Sequence, residues 1–96
     1  MIIETPYKEQ DVVSMKLASG EEILGKLESE TDAKLKVSKP FALVPSQQGL
    51  GLMPYMLSVS PDAKVEINKT NVVCIAKTEQ GIASQYFQQT TGLTVI

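Results

Sequence analysis

Between Val13 and Val37 the apolar residues keep strand parity. Val13, Met15 and Leu17 alternate with Ser14, Lys16 and Ala18, as in a strand that buries one face. Ser19-Gly20-Glu21 then supplies turn chemistry, with Gly20 free to take the positive φ that a tight hairpin demands. Alternation resumes at Ile23, Gly25 and Leu27, and a glycine at an inward strand position marks sharp bending or close backbone approach. Asp32 follows in a second turn, and Leu35 and Val37 open a third strand. The pattern predicts three consecutive antiparallel strands with a strongly curved middle one.

The third strand continues through Lys39-Pro40 to Phe41 and Leu43. Pro40 donates no ladder hydrogen bond, which predicts a bulge or an edge position. Pro45-Ser46-Gln47-Gln48-Gly49 reads as a polar loop, and Leu52 to Val59 as a fourth strand with Met53, Tyr55, Leu57 and Val59 on one parity. Pro54 demotes part of that strand to an edge or a second bulge. Ser60-Pro61-Asp62-Ala63 is a further turn, Val65 and Ile67 resume the alternation, and Val72 to Ala76 forms a β-branched last strand after a tight turn at Asn68 to Asn71. Thr78 is the expected N-cap of a helix at about Glu79–Thr91, with Ile82 and Tyr86, and Ala83 and Phe87, as i,i+4 pairs and Gly92 as the stop. Residues 1–11, with Pro6, read as an extended arm, 12–78 as a barrel, and 79–96 as helix and tail. The tail Leu93-Thr94-Val95-Ile96 is too apolar to stand free in water and is expected to pack on the barrel or on a neighbour.

Leu17-x-x-Gly20-x-x-Ile23-x-Gly25-x-Leu27, followed by Asp32 and Leu35, resembles the first signature of the Sm-like family, which includes LSm and Hfq proteins. Ile67-Asn68-Lys69-Thr70-Asn71-Val72-Val73 is similar to its second signature, and the two occur in family order. The resemblance implies an all-β fold: a small, strongly bent, five-stranded Sm-like (SH3-like) barrel, here with a C-terminal helix, whose subunits pair edge strands into a homo-oligomeric ring. In the family such rings hold about five to seven subunits. An unrelated SH3-like or OB barrel is the alternative architecture. The edge to be extended by a neighbour would comprise Val72, Val73, Cys74 and Ile75. The long segment between the signatures looks most like the small Sm-like proteins of tailed phages that infect cyanobacteria.

Composition narrows the function. Net charge is −2, the opposite balance from a protein that binds nucleic acid by bulk electrostatics. The sequence holds no histidine and a single cysteine, so His-based general acid–base chemistry, an intramolecular disulfide and a zinc site all lack their residues. Cys74 is expected as a buried, reduced thiol. With no leader-like or membrane-length apolar run, the sequence predicts a cytoplasmic protein (host cytoplasm if phage-borne), not an enzyme, with no cofactor and no membrane partner.

Two clusters could carry chemistry. Glu28, Glu30 and Asp32 share a parity and read either as a divalent-ion site or, preferably, as a solvated face. The family's RNA pore combines a stacking side chain, an Asn that reads a base edge and an Arg that closes over it. Aligning Leu35 with the family's core methionine puts Lys34 at the stacking position and Lys36 at the Asn position, while Asn68 replaces the Arg and Lys69 the following Gly. The resemblance further implies that Asp32 orders the loop that touches the base. Asp32, Lys34, Lys36, Asn68 and Lys69 are therefore the candidate contacts to single-stranded RNA, in a degenerate form, since ammonium groups reach phosphates but neither stack nor pair bidentately. Two functions follow: an RNA-associated, riboregulatory ring, or a structural ring that has lost RNA binding and meets a protein partner. Tyr55, Tyr86 and Phe87 are expected in the core, and Met53 and Met56 in the core or at an interface on the strand extension.

Overall fold

The computed structural model describes residues 7–60 and 62–91; the arm before Tyr7 and the tail after Thr91 lie outside the described residues. Strands β1 (Val12–Leu17), β2 (Glu22–Glu30), β3 (Lys34–Ser46), β4 (Gly49–Pro54), β5 (Lys64–Asn68) and β6 (Val72–Lys77) precede one helix, α1 (Gln80–Thr91). All pairings are antiparallel, in the order β4-β3-β2-β1-β6, with β5 also on β3. The chain is mainly β, as the alternation predicts, in one bent sheet.

The strand count differs from five because β3 is long enough to serve two partners. Its first half, Lys34–Ser38, pairs with β5, and its second, Phe41–Ser46, pairs with β4. The expected loop at Pro45–Gly49 is mostly ladder: Pro45 pairs with Leu50 and Ser46 with Gly49. Gly49 carries the left-handed φ of 115° that this tight reversal requires. The expected fourth strand through Val59 stops at Pro54. Proline has no N–H to offer, and the next amide, Tyr55 N–H, bonds back to the Pro40 carbonyl at 2.9 Å.

The predicted bend is local and has a cause. The β2–β3 ladder skips a step at Gly25: Leu24 opposes Phe41 and Lys26 opposes Ser38, so Lys39 and Pro40 bulge opposite this glycine. Lys39 takes a φ of 51° there. A Cβ on Gly25 would lie 3.0 Å from the Val37 Cβ, so any larger residue would force Val37 to give way where the strands approach.

Both faces of the β1–β2 hairpin are buried. Val13, Met15, Leu17, Ile23, Leu27, Leu35 and Val37 form the core inside the bend, on the parity read from the sequence. On the other face Val12 and Leu24 are buried with Tyr86 of α1, and Phe41, Ile82 and Ala83 pack around them. Tyr86 reaches into the bulge: its hydroxyl donates to the Lys39 carbonyl at 2.7 Å, with the Ser38 carbonyl at 3.1 Å. Burial pushes its pKa up to about 12, against the backbone hydrogen bond from Lys26. Phe87, expected in the core, is 44% exposed. It stands edge-on to Tyr86 at the border of the helical stripe.

Thr78 is not the cap. Its amide bonds to the Val12 carbonyl and its hydroxyl to Ser14 Oγ at 2.7 Å, which prolongs the β1–β6 ladder. Glu79 caps instead: its Oε1 accepts from Ile82 N–H at 3.0 Å. The backbone amides of Gly81 and Ile82 hold that carboxyl below its ordinary pKa.

Candidate functional site

The expected contact residues come from two separate stretches and meet at one end of the sheet. The β2–β3 turn is set by Thr31, whose amide donates to the Lys34 carbonyl at 2.9 Å and whose Oγ1 accepts from Lys34 N–H at 3.1 Å. Asp32 lies exposed at the tip of this turn. A one-turn 3-10 helix, Lys69–Asn71, joins β5 to β6. It is tied to the same turn by a hydrogen bond from Lys69 N–H to the Ala33 carbonyl at 2.8 Å. Across the β3–β5 ladder Lys34 faces Asn68 and Lys36 faces Glu66. Asp32, Lys34, Lys36, Asn68 and Lys69 are thereby gathered on adjoining strand ends, while Leu35 and Ile67, of opposite parity, pack into the core.

The charges at this end are matched. Lys69 Nζ lies 2.6 Å from Glu30 Oε2, with both side chains about a third exposed. The Tyr7 hydroxyl donates to the same oxygen at 3.1 Å. Burial and then the Glu30 carboxylate raise the Tyr7 pKa. Lys34 Nζ stands 3.5 Å from Glu66 Oε1, both half exposed, a pairing that water largely screens. Three lysines thus share the surface with Glu30, Asp32 and Glu66.

The carboxylates of the supposed ion site face different partners. Glu28 accepts from Ser38 Oγ at 2.7 Å, a bond that draws its pKa down, helped by Lys64 and Lys26. Glu30 is engaged by Lys69 and Tyr7. Among the described residues no three His, Cys, Asp or Glu side chains converge as a metal site would need.

The expected interface strand borders this cluster. In β6, Lys16 opposes Cys74 and Leu17 opposes Val72, which leaves Val73 as the extra residue of a bulge. Val72 and Ile75 consequently share the inner side and pack on the core, whereas Val73 is 68% exposed. Cys74, expected to be buried, is exposed, because β6 is an end strand and the bulge resets its parity. A groove of about 240 Å³ separates β6 from the charged cluster, lined by Tyr7, Glu30, Leu35, Lys69, Val72 and Ile75 among others.

No protein-family profile matches the chain, and no curated protein matches it in sequence. The site is therefore read from its own geometry. Glu30, Glu66, Tyr7 and Thr31 were not among the expected contacts. The parity of Glu66, facing out between Val65 and Ile67, was the signal for its pairing with a β3 lysine. The Glu30–Lys69 pair had none, since it depends on how the turn at Ala33 meets the 3-10 helix.

Proposed function

We propose that this chain is the subunit of an Sm-like ring that works by assembly, a scaffold without catalysis whose RNA site has degenerated. The observation that carries the reading is the state of β5 and β6. Among the described residues each is paired on one side only, β5 to β3 and β6 to β1, although the two are consecutive in the chain. The 3-10 turn leads them apart, so each presents a free backbone edge. Free edges recruit strands. A β5 edge that meets the β6 edge of the next copy makes a heterologous contact, and such contacts close into a ring where the rotation between copies closes. On β6, Val72 to Ala76 carries no charge to oppose pairing. The matched lysines favour scaffolding over RNA recognition, because Lys34 and Lys69 already have carboxylate partners.

Light scattering on the purified chain tests assembly. A single species at an integer multiple of the 10.4 kDa subunit mass supports the ring, and a monomer at micromolar concentration refutes it. Val73→Glu places a charge on the exposed bulge of the edge; it should shift the ring to monomers while circular dichroism stays unchanged.

RNA association remains the second reading, favoured by the gathering of Lys34, Lys36 and Lys69 on one rim. It predicts contact to phosphates rather than to bases.

A further inference from the structure

The charge-free part of the chain contains an open strand edge. No charged residue occurs from Pro40 to Ser60, and β4 lies within that stretch. It stands at one end of the sheet, bonded to β3 and, among the described residues, to no other strand. The bond from Tyr55 N–H to the Pro40 carbonyl, at 2.9 Å, continues the β3–β4 register and fixes which groups point where. Bonding residues alternate along an antiparallel strand. Met53, Gly51 and Gly49 therefore bond to β3, and Leu50 and Leu52 turn their N–H and C=O groups to the open side. Proteins ordinarily blunt such an edge with lysine, a bulge or proline. On β4 only Pro54, at its very end, does so, whereas the β5 edge carries Lys64 and Glu66.

We propose that this edge pairs with β4 of a second copy, antiparallel, about a twofold axis at Gly51. The strand is self-complementary in that register. Leu50 opposes Leu52 of the second copy, so the outward backbone groups of each satisfy those of the other. Gly51 opposes its own counterpart, and Met53 lies across from Gly49, so the bulky side chain on that face meets a residue without one. On the other face Leu52 already packs on the outer core around Leu24 and Tyr86. Leu50, 49% exposed in the single chain, would be laid beside it by the second copy. No charge on either strand opposes the approach. A twofold contact is closed, so it pairs two edges and leaves none to propagate. One short strand a side is less than a stable interface usually buries, so the dimer is a weak one that forms at submillimolar concentration. It uses neither edge assigned to the ring, and it stands whether or not the ring forms.

Disulfide trapping tests it. In a Cys74→Ser, Gly51→Cys chain the two new thiols face each other across the axis in a non-hydrogen-bonded pair, with Cα atoms about 4.5 Å apart, within disulfide range. A Cβ at Gly51 makes only ordinary contacts, with Val44 Cγ2 at 3.6 Å and the Val44 carbonyl oxygen at 3.7 Å, so the substitution fits. The control is Cys74→Ser, Gln48→Cys, whose thiol is exposed at the hairpin tip but lies about 20 Å from its counterpart in this register. In a glutathione redox buffer Gly51→Cys should form covalent dimer about tenfold faster than Gln48→Cys, because pairing raises the local thiol concentration. Adding Leu50→Lys, a charge on an exposed edge position, should abolish that advantage. Equal rates for the two thiols, or an advantage that Leu50→Lys leaves intact, overturn the proposal. The same comparison in Val73→Glu separates this contact from the ring: an unchanged ratio supports the β4 pairing, and a ratio that falls to unity overturns it.

Discussion

Tyr86 and Gly25 solve one problem from opposite sides. The Lys39-Pro40 bulge breaks the ladder opposite Gly25 and takes Lys39 out of strand pairing. The Tyr86 hydroxyl donates to the Lys39 carbonyl instead. Tyr86→Phe keeps the aromatic ring but removes the donor to the Lys39 carbonyl, and it should cost about 1–3 kcal/mol in chemical denaturation. The pH dependence has a definite sign. The folded-state pKa is raised from 10.0 to about 12, so this group's contribution is fully present below pH 10 and is lost as the pH rises from there through about 12. The alkaline decline should be shallower in Tyr86→Phe, measured as denaturation midpoint against pH. Gly25→Ala drives a Cβ to 3.0 Å from Val37 Cβ on the paired strand. Overpacking of this kind should destabilise by about 1–3 kcal/mol, with the loss read as a lower melting temperature.

At the scale of elements, α1 turns a two-faced sheet into a two-core protein. Strand alternation alone leaves Val12 and Leu24 on the outer face, yet they are 5% and 0% exposed because Tyr86, Ile82 and Ala83 lie over them. Leu24→Ala should therefore behave as a core truncation and cost about 2–5 kcal/mol, measured by urea unfolding. A surface residue on the same parity would cost almost nothing. β3 shows the complementary effect: one strand of thirteen residues carries two partner strands in succession, with the bulge at Lys39-Pro40 marking the changeover. Pro40 announced a break in the sequence, but which strands flank that break depends on residues far along the chain.

Across the whole molecule, charge is segregated. One end gathers Lys34, Lys36 and Lys69 with Glu30, Asp32 and Glu66, while the segment from Pro40 to Ser60 has no charge at all. On the proposed scaffold reading, any contact of the matched rim with RNA is electrostatic and counterions compete it away. Fluorescence anisotropy with labelled oligo-U, oligo-A and mixed RNA should show weak binding at low salt that vanishes at physiological salt. Lys34→Ala with Lys36→Ala should remove even that and leave oligomerisation intact. A base preference that survives physiological salt would instead establish a rebuilt pocket at Lys34, Lys36 and Asn68.

Parity by itself determined the inner core. Val13, Met15, Leu17, Ile23, Leu27, Leu35 and Val37 are buried as their alternation requires, because period-two spacing along a strand leaves no other way to hide them. The turn at Gly20, the break at Pro40 and the helix near Gln80 were legible for equally local reasons: a φ of 106°, a missing N–H, and a 3.6-residue stripe. Tertiary structure alone decided the rest. Cys74 is exposed because β6 ends the sheet and a bulge at Val73 resets its parity. Glu79 displaces Thr78 as cap because Ser14 and Val12 of a distant strand claim Thr78. Lys69 meets Glu30 only because two turns dock through Ala33. Each of these outcomes depends on a partner remote in sequence, and neither residue type nor spacing encodes which partner arrives.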